Sequence, residues 1–152
     1  MFRRIVSLPV MLVFIFALAS PQAAVADRSP GKKLVGTWEV TILSDVLPPA
    51  LDTTVVHQDG TVSNWDPALG AGNGIWRRLG DSRYEVKFKT VVLFNNIFGL
   101  FPGSTLIVTA MVEVDDKGNF ASGPFTADLE PEGQAIPDFS GIVNFSRMTF
   151  DD

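Results

Sequence analysis

The chain reads as an all-β domain of about eight antiparallel strands that run up and down in chain order. Three observations predict this. Apolar and polar residues alternate over short runs. Each run ends in glycine, proline, asparagine or aspartate at a turn. No stretch beyond residue 26 keeps a helical period. A meander with one apolar face per strand must hide that face, and closing into a barrel also removes the sheet edges. An open sandwich is the competing architecture. Eight strands enclose an interior that side chains fill or that holds one small ligand.

The first residues stand apart from this pattern. Arg3 and Arg4 precede a nearly all-apolar run over residues 5–19, and Ala24-Val25-Ala26 supplies a small-x-small cleavage pattern. The apolar run is short for a membrane span and suits a signal peptide. Cleavage after Ala26 makes residues 1–26 a signal peptide, 27–33 a flexible leader and 34–152 the barrel domain. An uncleaved anchor is the other reading. The mature chain is then expected outside the cytoplasm, in the periplasm or the medium, with no stable membrane span after cleavage. The sequence has no cysteine, so neither a disulfide nor a thioether-linked lipid is available. Lys and Arg number 12 against 17 Asp and Glu, a net charge of −5. Cleavage removes two arginines and no acid, giving −7. That balance argues against nucleic acid and anionic membranes as partners.

From Gly36 to Leu43 the first strand alternates, with Trp38, Val40 and Ile42 on one face. Pro48-Pro49 ends it, because proline cannot sit inside a ladder. Strands over 53–58 and 61–65 flank Asp59-Gly60, a tight hairpin signal. The stretch DPALGAGNG, 66–74, reads as a glycine-rich loop, and 75–79 as a short strand. A long strand, 83–94, places Tyr84, Val86 and Phe88 on one face. After NNIFGLFPG come strands over 105–114 and 120–129, joined by DDKGN with Gly118 available for positive φ. Gly123-Pro124 suggests a bulge or bend. The last strand spans 140–150.

Gly36-Thr37-Trp38 at the start of the first strand resembles the lipocalin signature of the calycin β-barrels. In that family the tryptophan plugs one barrel end and an arginine from the last strand packs over it. The resemblance assigns those closing roles to Gly36, Trp38 and Arg147. A guanidinium laid across an indole adds about 0.5–2 kcal/mol. Trp38 as an ordinary core aromatic is the plainer alternative. GNGIWRRLGDSRYEVKF, 72–88, is similar to a segment of small exported bacterial lipocalin-like domains, and the likeness extends over most of Leu34–Phe150. A Thr-Asp-Tyr triplet in the later strands and a disulfide, both found in many lipocalins, are missing. The family shares no single biochemical activity, so the resemblance implies fold and export, and ligand binding only by analogy.

The sequence shows no catalytic constellation. His57 is the single histidine, at the Asp59-Gly60 turn, and no nucleophile-elbow pattern is present. No metal or cofactor is expected: one histidine and no cysteine leave oxygen ligands alone. DDKGN lacks the spacing and closing glutamate of a calcium loop. The Asn144-Phe145-Ser146 glycosylation triplet lies inside a strand and is set aside. Candidate ligand-facing residues are Val40, Ile42, Val55, Tyr84, Val86, Phe88, Leu106, Val108, Phe125 and Ile142, with Tyr84 as a polar handle. Asn64 and Trp65, with Asp66 beside them, stand where a strand meets the 66–74 segment and are placed at the barrel mouth. The plain reading of Asp66-Pro67 is turn chemistry. Ile97, Phe98, Leu100 and Phe101 form an apolar connection that suits a lid, a contact surface or plain packing.

Three functions remain open on these residues. The favoured one is an exported module that binds a small apolar or amphipathic molecule in the barrel. The second is a calycin-type cyclase or isomerase acting on an apolar substrate inside the barrel. The third is a structural or protein-interaction domain using the 95–103 connection.

Overall fold

The computed structural model describes residues 33–92, 103–130 and 138–150. The segment expected to be a signal peptide (1–26), most of the expected leader (27–33) and the apolar residues Ile97, Phe98, Leu100 and Phe101 lie outside the described residues. The chain forms eight strands: β1 (Gly36–Ser44), β2 (Ala50–Val56), β3 (Thr61–Asp66), β4 (Gly70–Arg78), β5 (Arg83–Val91), β6 (Thr105–Val114), β7 (Phe120–Glu130) and β8 (Phe139–Arg147). Each pairs antiparallel with the next, and β8 returns to β1 to close the barrel. This is the up-and-down barrel that the alternation predicts. Among the described residues no helix is long and apolar enough to cross a membrane.

Two of the tight turns show why the strands reverse where they do. Gly60 takes φ +91° and Gly118 φ +72°, conformations that suit a residue without a Cβ. Asp59 Oδ1 accepts from the Thr61 amide at 3.0 Å and its hydroxyl at 2.6 Å. Asp115 Oδ1 accepts from the amides of Asn119 and Phe120 at 2.8 and 3.0 Å, so this carboxylate serves the turn.

The glycine-rich stretch is a strand, not a loop. β4 begins at Gly70, and Gly72 and Gly74 pair with Thr90 and Phe88 of β5. A Cβ on Gly74 would overlap the Lys87 carbonyl and the Phe88 backbone. The glycines are there because the two strands approach too closely for side chains, as at a barrel corner. At Gly123-Pro124 the register of β7 is the same on both sides against β6 and against β8, so that segment is a bend with no inserted residue. The last strand ends at Arg147, short of the expected 150.

The barrel has two unlike halves. One end gathers the start of β1, β3, β5 and β7 and is filled by Leu34, Trp38, Val56, Val62, Tyr84, Val112, Val114 and Ala121, all essentially buried. Trp38 donates to the Leu34 carbonyl at 2.8 Å and meets Phe145 edge-on at 6.0 Å. The Arg147 guanidinium lies 4.1 Å over the Trp38 ring. It also donates to the carbonyls of Gly118, Val35 and Lys33. Gly36, at φ +143°, leaves the room that guanidinium occupies. Gly36, Trp38 and Arg147 thus meet at this end of the barrel. Among the described residues the other end is open.

Candidate functional site

The half away from Trp38 holds a cavity of about 60 Å³. Phe145 and Val143 of β8, with Val86 and Val108, form its lower walls, and Leu47, Pro48 and Leu69 stand near its mouth. Most of the lining is apolar. A polar strip runs down β2 and β3, made of Asp52, Thr54, Asn64 and Asp66, and Thr90 of β5 adds a hydroxyl.

That strip follows from the hairpin register. Folding the chain about Asp59 pairs Thr54 with Asn64, and one inward step further sets Asp52 opposite Asp66. The four side chains are 3–6% exposed. Thr54 donates its hydroxyl to Asn64 Oδ1 at 2.6 Å, and Asn64 Nδ2 donates to Asp52 Oδ2 at 3.1 Å. The Thr54 bond thereby orients the amide so that its NH₂ faces the carboxyl. Asp66 Oδ1 accepts from the amides of Ala68 and Leu69 at 2.6 and 2.9 Å, which anchors it in the turn to β4. Asp52 Oδ1 is buried and receives no hydrogen bond from a donor among the described residues.

Burial pushes the Asp52 carboxyl up from 3.8 to about 7. The negative charge of Asp66 adds to the rise, the bond from Asn64 opposes it, and a hydrogen bond shared with Asp66 favours the protonated form. Asp52 thus exchanges a proton near neutral pH inside a largely apolar chamber.

Several sequence-derived candidates line this chamber: Val40, Ile42, Val86, Phe88, Leu106, Val108, Phe125 and Asn64. Tyr84 is fully buried but lies in the packed half, edge-on to Trp76 at 5.7 Å, and is not part of the cavity lining. Val55 and Ile142 are corrected. Val55 is on the outward face of β2, since Asp52, Thr54 and Val56 take the inward positions. Ile142 is 44% exposed, and Val143 and Phe145 point inward instead. Trp65 likewise faces out, 55% exposed, between inward Asn64 and Asp66. His57 is outside the chamber, with its Nε2 3.2 Å from the Ser63 hydroxyl.

Asp52, Thr54 and Thr90 are site residues that sequence reading missed. The apolar-inside rule turned β2 the wrong way, because Leu51 and Val55 form its more apolar face. Among the described residues no group of three or more acidic or histidine side chains could hold a metal ion. Comparisons with protein-family models, with curated proteins and with solved structures find no match.

Proposed function

We propose that this chain is an exported, lipocalin-like binding protein that holds one small apolar or amphipathic molecule in the open half of its barrel. The observation that carries the reading is a mostly apolar chamber, closed beneath by Trp38 and Arg147, with a polar strip on one wall. Apolar walls with a few placed polar groups are the usual chemistry of a ligand site. Export rests on residues 1–26, and kinship with lipocalins rests on Gly36, Trp38 and Arg147.

The test is fluorescence titration with N-phenyl-1-naphthylamine, a neutral dye that brightens in apolar surroundings. A saturable 1:1 signal is expected, and Ala110→Phe should abolish it by filling the chamber, with circular dichroism unchanged. A dye signal that is absent from the wild type, or unaffected in Ala110→Phe, overturns the reading.

Asp52 also favours a second reading, a cyclase or isomerase with this carboxyl as general acid. A group that titrates near neutral pH in an apolar chamber suits proton transfer. Turnover of polyene or epoxide substrates that disappears in Asp52→Asn would support it. No product with the wild type would remove it.

A further inference from the structure

The polarity of the chamber is one-sided. Two carboxyls line it, and among the described residues no Lys, Arg or His does. The Arg147 guanidinium is committed to the closed end. Among the described residues no cation lining the chamber therefore balances Asp52 and Asp66. At the rim, Asp45 and Asp138 add two more acids: Asp45 accepts from the Ser140 amide and hydroxyl through its two oxygens, and Asp138 accepts from the Leu129 amide.

Asp52 Oδ1 is the atom that asks for a partner. The residue is 3% exposed and lines the cavity, and apart from the hydrogen bond its carboxyl shares with Asp66, this oxygen meets no donor among the described residues. A buried acceptor left without a donor is costly, so a ligand that brings a donor gains by filling it.

We propose that the chamber selects an amphipathic amine, its protonated amino group docked on Asp52 Oδ1 beside Asp66 and its apolar body lying against Val86, Phe88, Val108 and Phe125. This rests on the binding reading above and names its ligand class. An ammonium supplies both the missing donor and the missing positive charge. A fatty acid or other carboxylate would meet two carboxyls and no cation. A metal ion is poorly served, since the Asn64 amide turns its NH₂ towards Asp52. A neutral alcohol supplies a donor but no charge.

The proposal carries a pH dependence. The residues that line the chamber with Asp52 include Val40 and Ile42 from β1, Thr54 from its own strand, Asn64 and Asp66 from β3, Phe88 and Thr90 from β5, and apolar residues of β6, β7 and β8. Of these only Asp66 is titratable. The amine pairs with ionised Asp52, so its affinity rises as pH climbs through about 7, where Asp52 loses its proton.

The experiment is displacement of the dye by a matched series: decylamine, decanol and decanoate. Decylamine is expected to bind at least about tenfold tighter than decanol, with decanoate weakest. Its advantage should shrink to within roughly threefold in Asp52→Asn, and should fall in wild type on acidification from about pH 8 to pH 5.5. Asp128→Asn, an exposed acid on β7, controls for surface charge and should keep the preference. Equal or tighter binding of decanol or decanoate overturns the amine proposal while leaving the binding reading intact. An amine preference that survives Asp52→Asn and Asp66→Asn also overturns it. No displacement by any of the three, with no dye binding, overturns both.

Discussion

Asp52 and Asp66 both point inward beyond the Thr54–Asn64 pair of the β2–β3 hairpin, close enough that each carboxyl feels the other. Like charges directly opposite on a sheet are unfavourable, more so when buried. The barrel relieves this by keeping a proton on Asp52 over much of the acid range. The pair therefore makes folding depend on pH.

The folded-state pKa of Asp52 lies above its ordinary 3.8, so folding takes up a proton between the two values. Its contribution to stability is full below about pH 4 and is lost as pH rises through about 7. Urea unfolding should show wild type losing up to about 4 kcal/mol across that window, and Asp52→Asn should flatten the profile. Asp45, Asp59 and Asp115 are held below 3.8 mainly by hydrogen bonds, so their effect has the opposite sign and falls below that window. A profile that is as steep in Asp52→Asn as in wild type would show that another group sets it.

Arg147 anchors the closed end through three carbonyls and the Trp38 ring. Arg147→Ala is expected to cost about 3 kcal/mol in denaturant unfolding. Arg147→Lys should recover less than half, since a single ammonium cannot reproduce the planar fork. Dye binding should be unaffected in either variant at temperatures where it stays folded, because the chamber opens at the other end.

Gly74 sits where β4 and β5 nearly touch. Gly74→Ala should cost about 2 kcal/mol or more, because the new methyl meets backbone rather than a movable side chain. At Gly80 the same change meets only the Arg83 guanidine nitrogen at 3.8 Å, an ordinary contact. Gly80→Ala should stay within about 0.5 kcal/mol. Thermal melts of the two variants side by side check the contrast.

The inward face of β8 can be checked in the same way. Val143→Ala should cost about 2 kcal/mol, as a buried deletion, whereas Ile142→Thr should change stability by less than about 0.5 kcal/mol. The reverse order would contradict the facing of this strand.

The barrel was legible because most of its strands obey one rule. In β1, β5 and β6 the buried residues include Trp38 and Val40, Tyr84 and Val86, and Leu106 and Val108, each two places from the next on its strand. The closing residues were legible through Gly36-x-Trp38 and a late arginine. The polar strip was not, because β2 and β3 break the rule: they bury Asp52, Thr54, Asn64 and Asp66 and expose Leu51 and Trp65. Local pattern and global fold disagree there, which is common where a site is built into a scaffold. A usable signal did exist. Asp59-Gly60 fixes the hairpin, and its register alone sets residue 52 across from 66. The glycines of β4 misled for another reason. They mark close strand approach as readily as they mark a turn.

The central claim is that the open half of this barrel holds a small molecule. Native mass spectrometry of the protein purified from its own host, followed by organic extraction, tests it most directly. The account predicts an added mass that is released on denaturation, carries an amine, and is missing from Ala110→Phe. A wild-type protein that carries no added mass, and gains none when decylamine is supplied at saturating concentration, would contradict it.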